Sequence, residues 1–444
     1  MERLQEVASA TRDLLAHSGV SRWEIFSKAS FTRETEVGTE VPVQIVHAEE
    51  SGVAVRTVRQ GRCGFAATSG LGAAASRCAV EGALSREVAS PFDPLPPPHL
   101  LGVNANGSRG VLPPQGWATH AVEELARAVT ESSQGTVQLL RVVVQEGTFS
   151  WLLATAEGFV ATHSGSSASL LAELVVAEEQ HGIWREWVHV PKPEALAPAA
   201  VASLMCNRLM LTRSPLGAEH GLKDVLLHGE VVAHLLAALA PLLVATPARP
   251  DRLPGLVNRD GQLAAPCLGL VDDRTDASAP VTGPCDGEGL PSRRTLLVEQ
   301  GVPRHRLASY RDAVICDEAP RGGAVRLSYR DYPTSGLACL RVLSDDGLSP
   351  GQILDRTDRA LYLLRPLSPV SVDLEGDSYR VIASGVWLAN GAIRGWHPVV
   401  ELSGRLGHLL RRVDAVGTDG RWYQTSCGCV HAPSILVRRQ PVVG

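Results

Sequence analysis

Beyond Pro250, glycine and proline interrupt the chain too often to leave room for long helices. The intervening segments are short and rich in β formers: Thr295-Leu296-Leu297-Val298, Leu337 to Val342, Tyr379 to Ile382 and Ile435 to Val437. This predicts a mostly β, barrel-like domain over 212–444 with helices packed against it. A helix-like segment from Val225 to Leu243 opens it.

Residues 1–211 read differently. Leu4, Val7, Ala8, Thr11, Leu14 and Leu15 recur at helical spacing, and Ser18-Gly19 closes the run. The period then falls toward two in Trp23–Ser27, Val41–Val46 and Ser51–Val58, with Gln60-Gly61 as a turn. An alanine-rich stretch, Leu71 to Ala89, reads as a second helix; Gly70-Leu71-Gly72 before it reads as a simple turn, lacking the third glycine of a dinucleotide fingerprint. Pro91 to Pro114, with Gly102, Gly107 and Gly110, is expected to be loop or linker. A helix over Thr119–Ser132 is followed by strands at Val137–Val144, Ser150–Ala156 and Leu170–Ala177, with turns at Gly158 and Ser164-Gly165-Ser166-Ser167. The fold class expected is α+β, with an N-terminal α+β domain over 1–211.

Several function classes are disfavoured. The net charge of −5 is spread along 444 residues with no basic block, so no field is built to hold nucleic-acid phosphates. The longest apolar stretch, Val231 to Ala245, contains His234 and Pro241 and falls short of the ~20 residues of a membrane span. No signal-peptide run opens the chain, and nine scattered cysteines form no disulfide framework. The expectation is a cytoplasmic protein that binds neither nucleic acid nor membrane. Neither a Gly-x-Ser-x-Gly elbow nor a Walker-type phosphate loop nor a Ser-x-x-Lys pair occurs.

A series of phrases carries a resemblance. Glu50-Ser51-Gly52-Val53-Ala54-Val55-Arg56 is followed by Gly61-Arg62-Cys63-Gly64-Phe65-Ala66. Later come Pro284-Cys285-Asp286-Gly287-Glu288-Gly289-Leu290-Pro291, Leu296 to Gly301, Gly385 to Gly391 and Glu401-Leu402-Ser403-Gly404. Cys427-Gly428, Ala432 to Ile435 and Val442-Val443-Gly444 complete the series. In order and spacing the chain resembles the TldD/PmbA family, whose catalytic members are zinc metallopeptidases acting on unfolded or peptide substrates.

Those members carry His-Glu-x-x-x-His on a helix and a later cysteine. Two histidines and a thiolate give Zn²⁺ three protein ligands and leave a place for water, and the glutamate takes that water's proton. The motif is absent here. Aligned on Leu235-Leu236, its first histidine, glutamate and second histidine become Ala237, Ala238 and Leu242, none of which binds a metal or moves a proton. Pro241 also falls inside this stretch and is expected to bend or end the helix.

A rival alignment runs through Leu226-Leu227-His228-Gly229-Glu230 and on to His234. The inserted glycine rotates the downstream residues by ~100° about the helix axis, although Glu230 and His234 still share a face at i, i+4. The plain alternative makes these the surface or cap residues of an amphipathic helix. Cys427 matches the ligand cysteine, and an alternating Cys427, Cys429 and His431 would share one face of a strand. Buried thiols packed as small hydrophobes are the plain alternative there. Asp272-Asp273 and Asp286/Glu288 could hold a hard cation or act as acid and base, or be solvated turns.

The resemblance therefore implies a zinc-free, TldE/PmbA-type partner of a TldD-like catalytic subunit. Zn²⁺ would be held by that subunit, and this chain would complete a chamber for unfolded or precursor peptides. Two alternatives stay open: an active zinc metallopeptidase with an atypical site from His228, Glu230, His234 and Cys427, or a homodimeric enzyme of different chemistry on the same scaffold.

Overall fold

The computed structural model describes residues 1–444 apart from 39–42, 104, 107–111, 115, 177–182, 191, 212–219, 249–255, 259, 345–346, 391 and 444. Val41-Pro42, Gly107, Gly110, Ala177, Gly391 and Gly444 thus lie outside the described residues, as does 212, the expected start of the second domain.

Helix α1, Glu2–His17, turns Leu4, Val7, Ala8, Thr11 and Leu15 inward, as their spacing predicts. It leads into an eight-stranded sheet whose strands are β1 (Arg22–Gly38), β2 (Gln44–Arg59), β3 (Arg62–Ser69), β4 (Val88–Ala89), β5 (Ala105–Asn106), β6 (Val137–Thr155), β7 (Val160–Val176) and β8 (Trp184–Val190). Their order is β4-β3-β2-β1-β6-β7-β5, with β8 also on β7. Gln60 and Gly61 link β2 to β3 with φ of 50° and 72°, the paired left-handed conformation that suits a two-residue hairpin.

Three expectations fail in this sheet. Ser51–Val58 is no separate strand but continues Gln44–Val46 within β2. Val137–Val144 and Ser150–Ala156 belong to one continuous strand, β6, and Ser164–Ser167 is no turn but the middle of β7. Strand pairing overrides local composition here: Ser164 sits opposite Ser150, Ser166 opposite Thr148, and a Cβ on Gly165 would lie 2.5 Å from the Phe149 ring. The small residues make room for an aromatic ring lying across the sheet.

Helix α2 (Ala73–Ser85), shorter than the expected 71–89, packs with α1 on β1–β3 around Ile25, Val53, Val55 and Ala79. Helices α3 (Trp117–Ser133) and α4 (Pro198–Met210) cover β6 and β7 around Leu125, Val142, Val144, Leu170 and Met205. That core runs on without a break into Leu226, Val386, Leu388 and Leu436 of the second half.

The second half is built from strands, as expected. In chain order they are β9 (Gly221–Leu227), β10 (Gly269–Asp273), β11 (Arg294–Glu299), β12 (Val302–Pro303), β13 (Ala324–Val325), β14 (Thr334–Ser335), β15 (Cys339–Leu343), β16 (Arg359–Pro366), β17 (Ser371–Asp373), β18 (Ser378–Ala389), β19 (Ala392–Arg405), β20 (Val413–Val416), β21 (Arg421–Thr425), β22 (Gly428–Ala432) and β23 (Ile435–Val443). The path β16-β9-β23-β19-β18 closes on itself through β16–β18, making a five-stranded barrel. A six-stranded sheet, β12-β11-β10-β15-β22-β21, stands beside it. Among the described residues no helix is long and apolar enough to cross a membrane.

Val225–Leu243 is not the single helix expected. Val225–Leu227 ends strand β9, held between β16 and β23. Helix α5 spans Gly229–Ala238, and a separate short helix, α6, spans Ala240–Leu243. The expected effect of Pro241 is therefore present, with the break one residue before α6 begins, at Leu239. Leu235, Leu236 and Leu242 of these helices join Leu340 and Val430 of the six-stranded sheet and Leu363, Val381 and Leu402 of the barrel in one core.

Candidate functional site

The residues aligned with the family's zinc motif lie at this helix break. Ala237 and Ala238 end α5, while Leu242 belongs to α6, so the three do not share one continuous helix. Ala237 and Leu242 are buried, and Leu242 lines a small apolar cavity of about 40 Å³ with Leu243, Leu263, Leu297 and Val298. Cys427 packs against the same core. Burial raises its thiol pKa, which Thr425 only partly offsets, so the ligand-ready thiolate is disfavoured. A zinc ion needs charged or lone-pair donors converging on one point, and two methyls and an isobutyl group supply none. The residues at these positions do not fit the metal.

The atypical set is not gathered either. Among the described residues no three His, Cys, Asp or Glu side chains lie close enough to hold a metal ion. His228 is not on the helix: it is the extended N-cap of α5, with Nδ1 accepting from the Glu230 amide at 3.1 Å. His234 sits further along α5, half-buried, its pKa lowered by burial. Cys429 and His431 stand two apart in β22 and share a face, while Cys427 precedes the strand, and Gly428 between them takes φ of 120°. Cys429 turns away from that core to meet Gln424 at 3.1 Å, and His431 stacks edge-on against Trp422.

What His228 and Glu230 join instead is a buried polar cluster between the two halves. Arg208 of α4 grips Glu186 of β8 with contacts of 2.6 and 2.9 Å and lies against the His228 ring. Glu230 approaches the same guanidinium at 3.9 Å, and the Tyr362 and Tyr423 rings each stand 6.2 Å from His228. A glycine is required at 229, since a Cβ there would meet the Ala432 carbonyl oxygen at 2.4 Å. Burial, with Arg208 and Arg421 nearby, keeps His228 neutral well below the usual histidine range. Burial and the neighbouring Glu186 push Glu230 up to about 7, so this carboxyl can hold or release a proton near neutrality.

The folded-state pKa of Glu230 exceeds its unfolded value of 4.5, so the folded state binds the extra proton between those two values. Stability from this group is complete below pH 4.5 and is lost as pH rises toward about 7. Glu230→Gln is expected to flatten that decline, measured as denaturation free energy against pH from ~5 to ~8. An unchanged slope would contradict the assignment.

A second buried cluster joins phrases that lie far apart in sequence. Arg56 of β2 binds Glu24 of β1 through two nitrogens and Glu288 at 2.9 Å through the third. Arg326 pairs with Glu24 and donates to the Gly287 carbonyl at 2.7 Å. Asp286 accepts from the amides of Glu288, Leu290 and Ala324 at 2.9–3.0 Å, so the acidic turn is a locked buried loop and not a solvated one. Asp272 is likewise buried, capping the amides of Ala338 and Cys339. Neither turn is free to take a cation. Sequence reading missed Glu24, Glu186, Arg208 and Arg326; single charged residues in two strands, a helix and a loop gave no motif to find them by.

Residues 220–444 match the family model described as the PmbA/TldA metallopeptidase C-terminal domain. No curated protein matches the chain in sequence. Among solved structures, TldE from Thermococcus kodakarensis superposes with a TM-score of 0.82 at 14% identity, covering 98% of this chain and 100% of that one. A proposed modulator of DNA gyrase from Thermotoga maritima gives 0.80 at 16% identity, covering 99% of each chain. One from Bacteroides thetaiotaomicron gives 0.80 at 16%, covering 99% and 98%. At such identities the likeness is one of fold.

Proposed function

This chain belongs to the PmbA/TldD metallopeptidase family, and from that premise we propose that it is a zinc-free partner subunit that completes a peptide-binding chamber beside a TldD-like catalytic subunit. The observation that carries this reading is the break between α5 and α6, which leaves Ala237 and Ala238 at the end of one helix and Leu242 in the apolar core on the next, so the motif positions offer no donor and do not share a helix. The whole-chain likeness in fold to TldE supports it. The catalytic subunit would bind Zn²⁺, polarise the peptide carbonyl and activate water. This chain would bound the cleft, keep folded proteins out and offer main-chain hydrogen bonds to an extended substrate, an unfolded segment or precursor peptide. We place it in the cytoplasm on the same reading.

The test is reconstitution with a relative that carries His-Glu-x-x-x-His, using reduced, unfolded casein as substrate. The chain alone is expected to leave casein intact, and the two chains together to co-purify and cleave it. Chelator-sensitive cleavage by this chain alone would overturn the reading in favour of an atypical zinc site. Failure to associate with any such relative would favour the homodimeric enzyme of other chemistry, for which Glu230 is the first residue to probe.

A further inference from the structure

The face of the large sheet that meets the second half changes character row by row. Register places Phe26, Leu153 and Ala161 in one row, Lys28, Trp151 and His163 in the next, and Ser30, Phe149 and Gly165 in the third. Cys285 and Tyr329 of the second half pack on the first row. At the second, the Leu327 carbonyl accepts from Lys28 at 2.6 Å. A Cβ on Gly283 would lie 3.6 Å from the Trp151 ring and 3.8 Å from His163 Cδ2. Trp151, Phe149 and Gly165 are each partly open to solvent. His163, at this border, is 7% exposed. It donates to the Thr282 carbonyl, and Nε2 makes that bond, because Nδ1 is buried with no hydrogen-bond partner among the described residues. The tautomer follows: Nε2 carries the proton and Nδ1 a bare lone pair. Burial lowers the pKa below the ordinary histidine value, which keeps the ring neutral. Cδ2 and Nε2 face the 282–283 loop, so Nδ1 lies on the opposite edge of the ring, on the side of the third row. The Phe149 and Trp151 rings are centred 5.5 and 5.6 Å from the imidazole.

We propose that Trp151, Phe149 and His163 form a side-chain subsite for a tyrosine or tryptophan of an extended peptide, whose O–H or N–H donates to His163 Nδ1. The inference rests on the peptide-chamber reading and names the residue class that one wall of that chamber selects. A buried acceptor is costly until a donor reaches it. A held water needs about two to four polar partners, which two aromatic rings do not supply. A metal needs further donors, and no three candidate ligands converge among the described residues. A cationic donor would meet Lys28, directly opposite Trp151 in the β1–β6 register. What remains is a donor on a neutral, flat, apolar body, and phenol and indole are the two that a peptide carries. Their rings can pack offset or edge-to-face on Phe149 and Trp151 while the polar tip turns toward the imidazole. Phenylalanine brings the same ring without the donor and leaves Nδ1 unsatisfied. A site built around a hydrogen bond discriminates through that missing bond more than through size.

Isothermal titration of the chain alone tests it, with N-acetylated, C-amidated Gly/Ala decapeptides that differ only at a central Tyr, Trp, Phe or Arg. The Tyr and Trp peptides are expected to bind at least ~tenfold more tightly than the Phe and Arg peptides. Tyr against Phe is the cleanest comparison, since the hydroxyl is their whole difference. His163→Phe keeps an aromatic ring but no acceptor, and should erase the gap between those two peptides. Phe149→Ala, at a partly exposed position, should weaken the Tyr and Trp peptides about tenfold with unchanged circular dichroism. Equal binding of the Tyr and Phe peptides, a preference for Arg, a Tyr preference that survives His163→Phe, or indifference to Phe149→Ala would each overturn the subsite and leave the chamber reading standing. Binding of none of the four peptides would overturn both.

Discussion

Arg56→Ala is expected to destabilise the protein by about 3–5 kcal/mol. Arg56 is 2% exposed and is the shared partner of Glu24 and Glu288. Burial alone would raise Glu24, yet Arg326 and Arg56 hold it below the ordinary carboxylate range. Burial pushes Glu288 up to about 7, against the pull of Arg56 and with Asp286 adding to the rise. Removing the guanidinium leaves two buried carboxyls sharing Arg326 as their remaining cation, and such a loss costs far more than the net worth of the pair. The cluster also ties β1 and β2 to the 284–291 turn, so its loss should loosen one half from the other. Replacing both Arg56 and Arg326 with Met together with Glu24→Leu and Glu288→Leu should recover much of the deficit, since no charge is then stranded. Equilibrium denaturation decides it: a loss below ~1 kcal/mol for Arg56→Ala would mean that water reaches the cluster.

The second large effect concerns the motif positions. Restoring all three residues, as Ala237→His, Ala238→Glu and Leu242→His, is expected to yield no stoichiometric zinc site and to cost at least ~3 kcal/mol. Leu242 is 4% exposed within the core, so an imidazole there is buried without a partner. The break at Leu239 also sets residues 237 and 242 on separate helices, so the ligands would not converge. Tight zinc binding by a stable triple variant would show instead that only the side chains had been lost and that the scaffold remains competent.

Much of the fold was legible because it rests on periodicity. The spacing of Leu4, Val7, Ala8, Thr11 and Leu15 predicted α1, and Tyr379 to Ile382 and Ile435 to Val437 fell inside β18 and β23. The failures share a cause. Val225–Leu227 carries apolar residues that suit helix or strand equally, and only its pairing with β16 and β23, distant in sequence, makes it a strand. Ser164–Ser167 has the composition of a turn but lies between paired neighbours. At the candidate site, the absence of the zinc motif could be read directly from Ala237, Ala238 and Leu242. The cluster around Arg208 could not, because it gathers residues from β8, α4 and the start of α5, and contacts between remote segments leave no local pattern. The Arg56–Glu288 pair was half visible: both residues stood in phrases that carry the family resemblance, with nothing in either to say that they meet.

The central claim is that this chain carries no zinc site of its own. The most direct test is elemental analysis of the chain purified alone from zinc-supplemented medium. The account predicts near-zero zinc per chain. About one zinc per chain, lost on replacing Cys427 or His228, would contradict it and make this protein a peptidase with a rebuilt site.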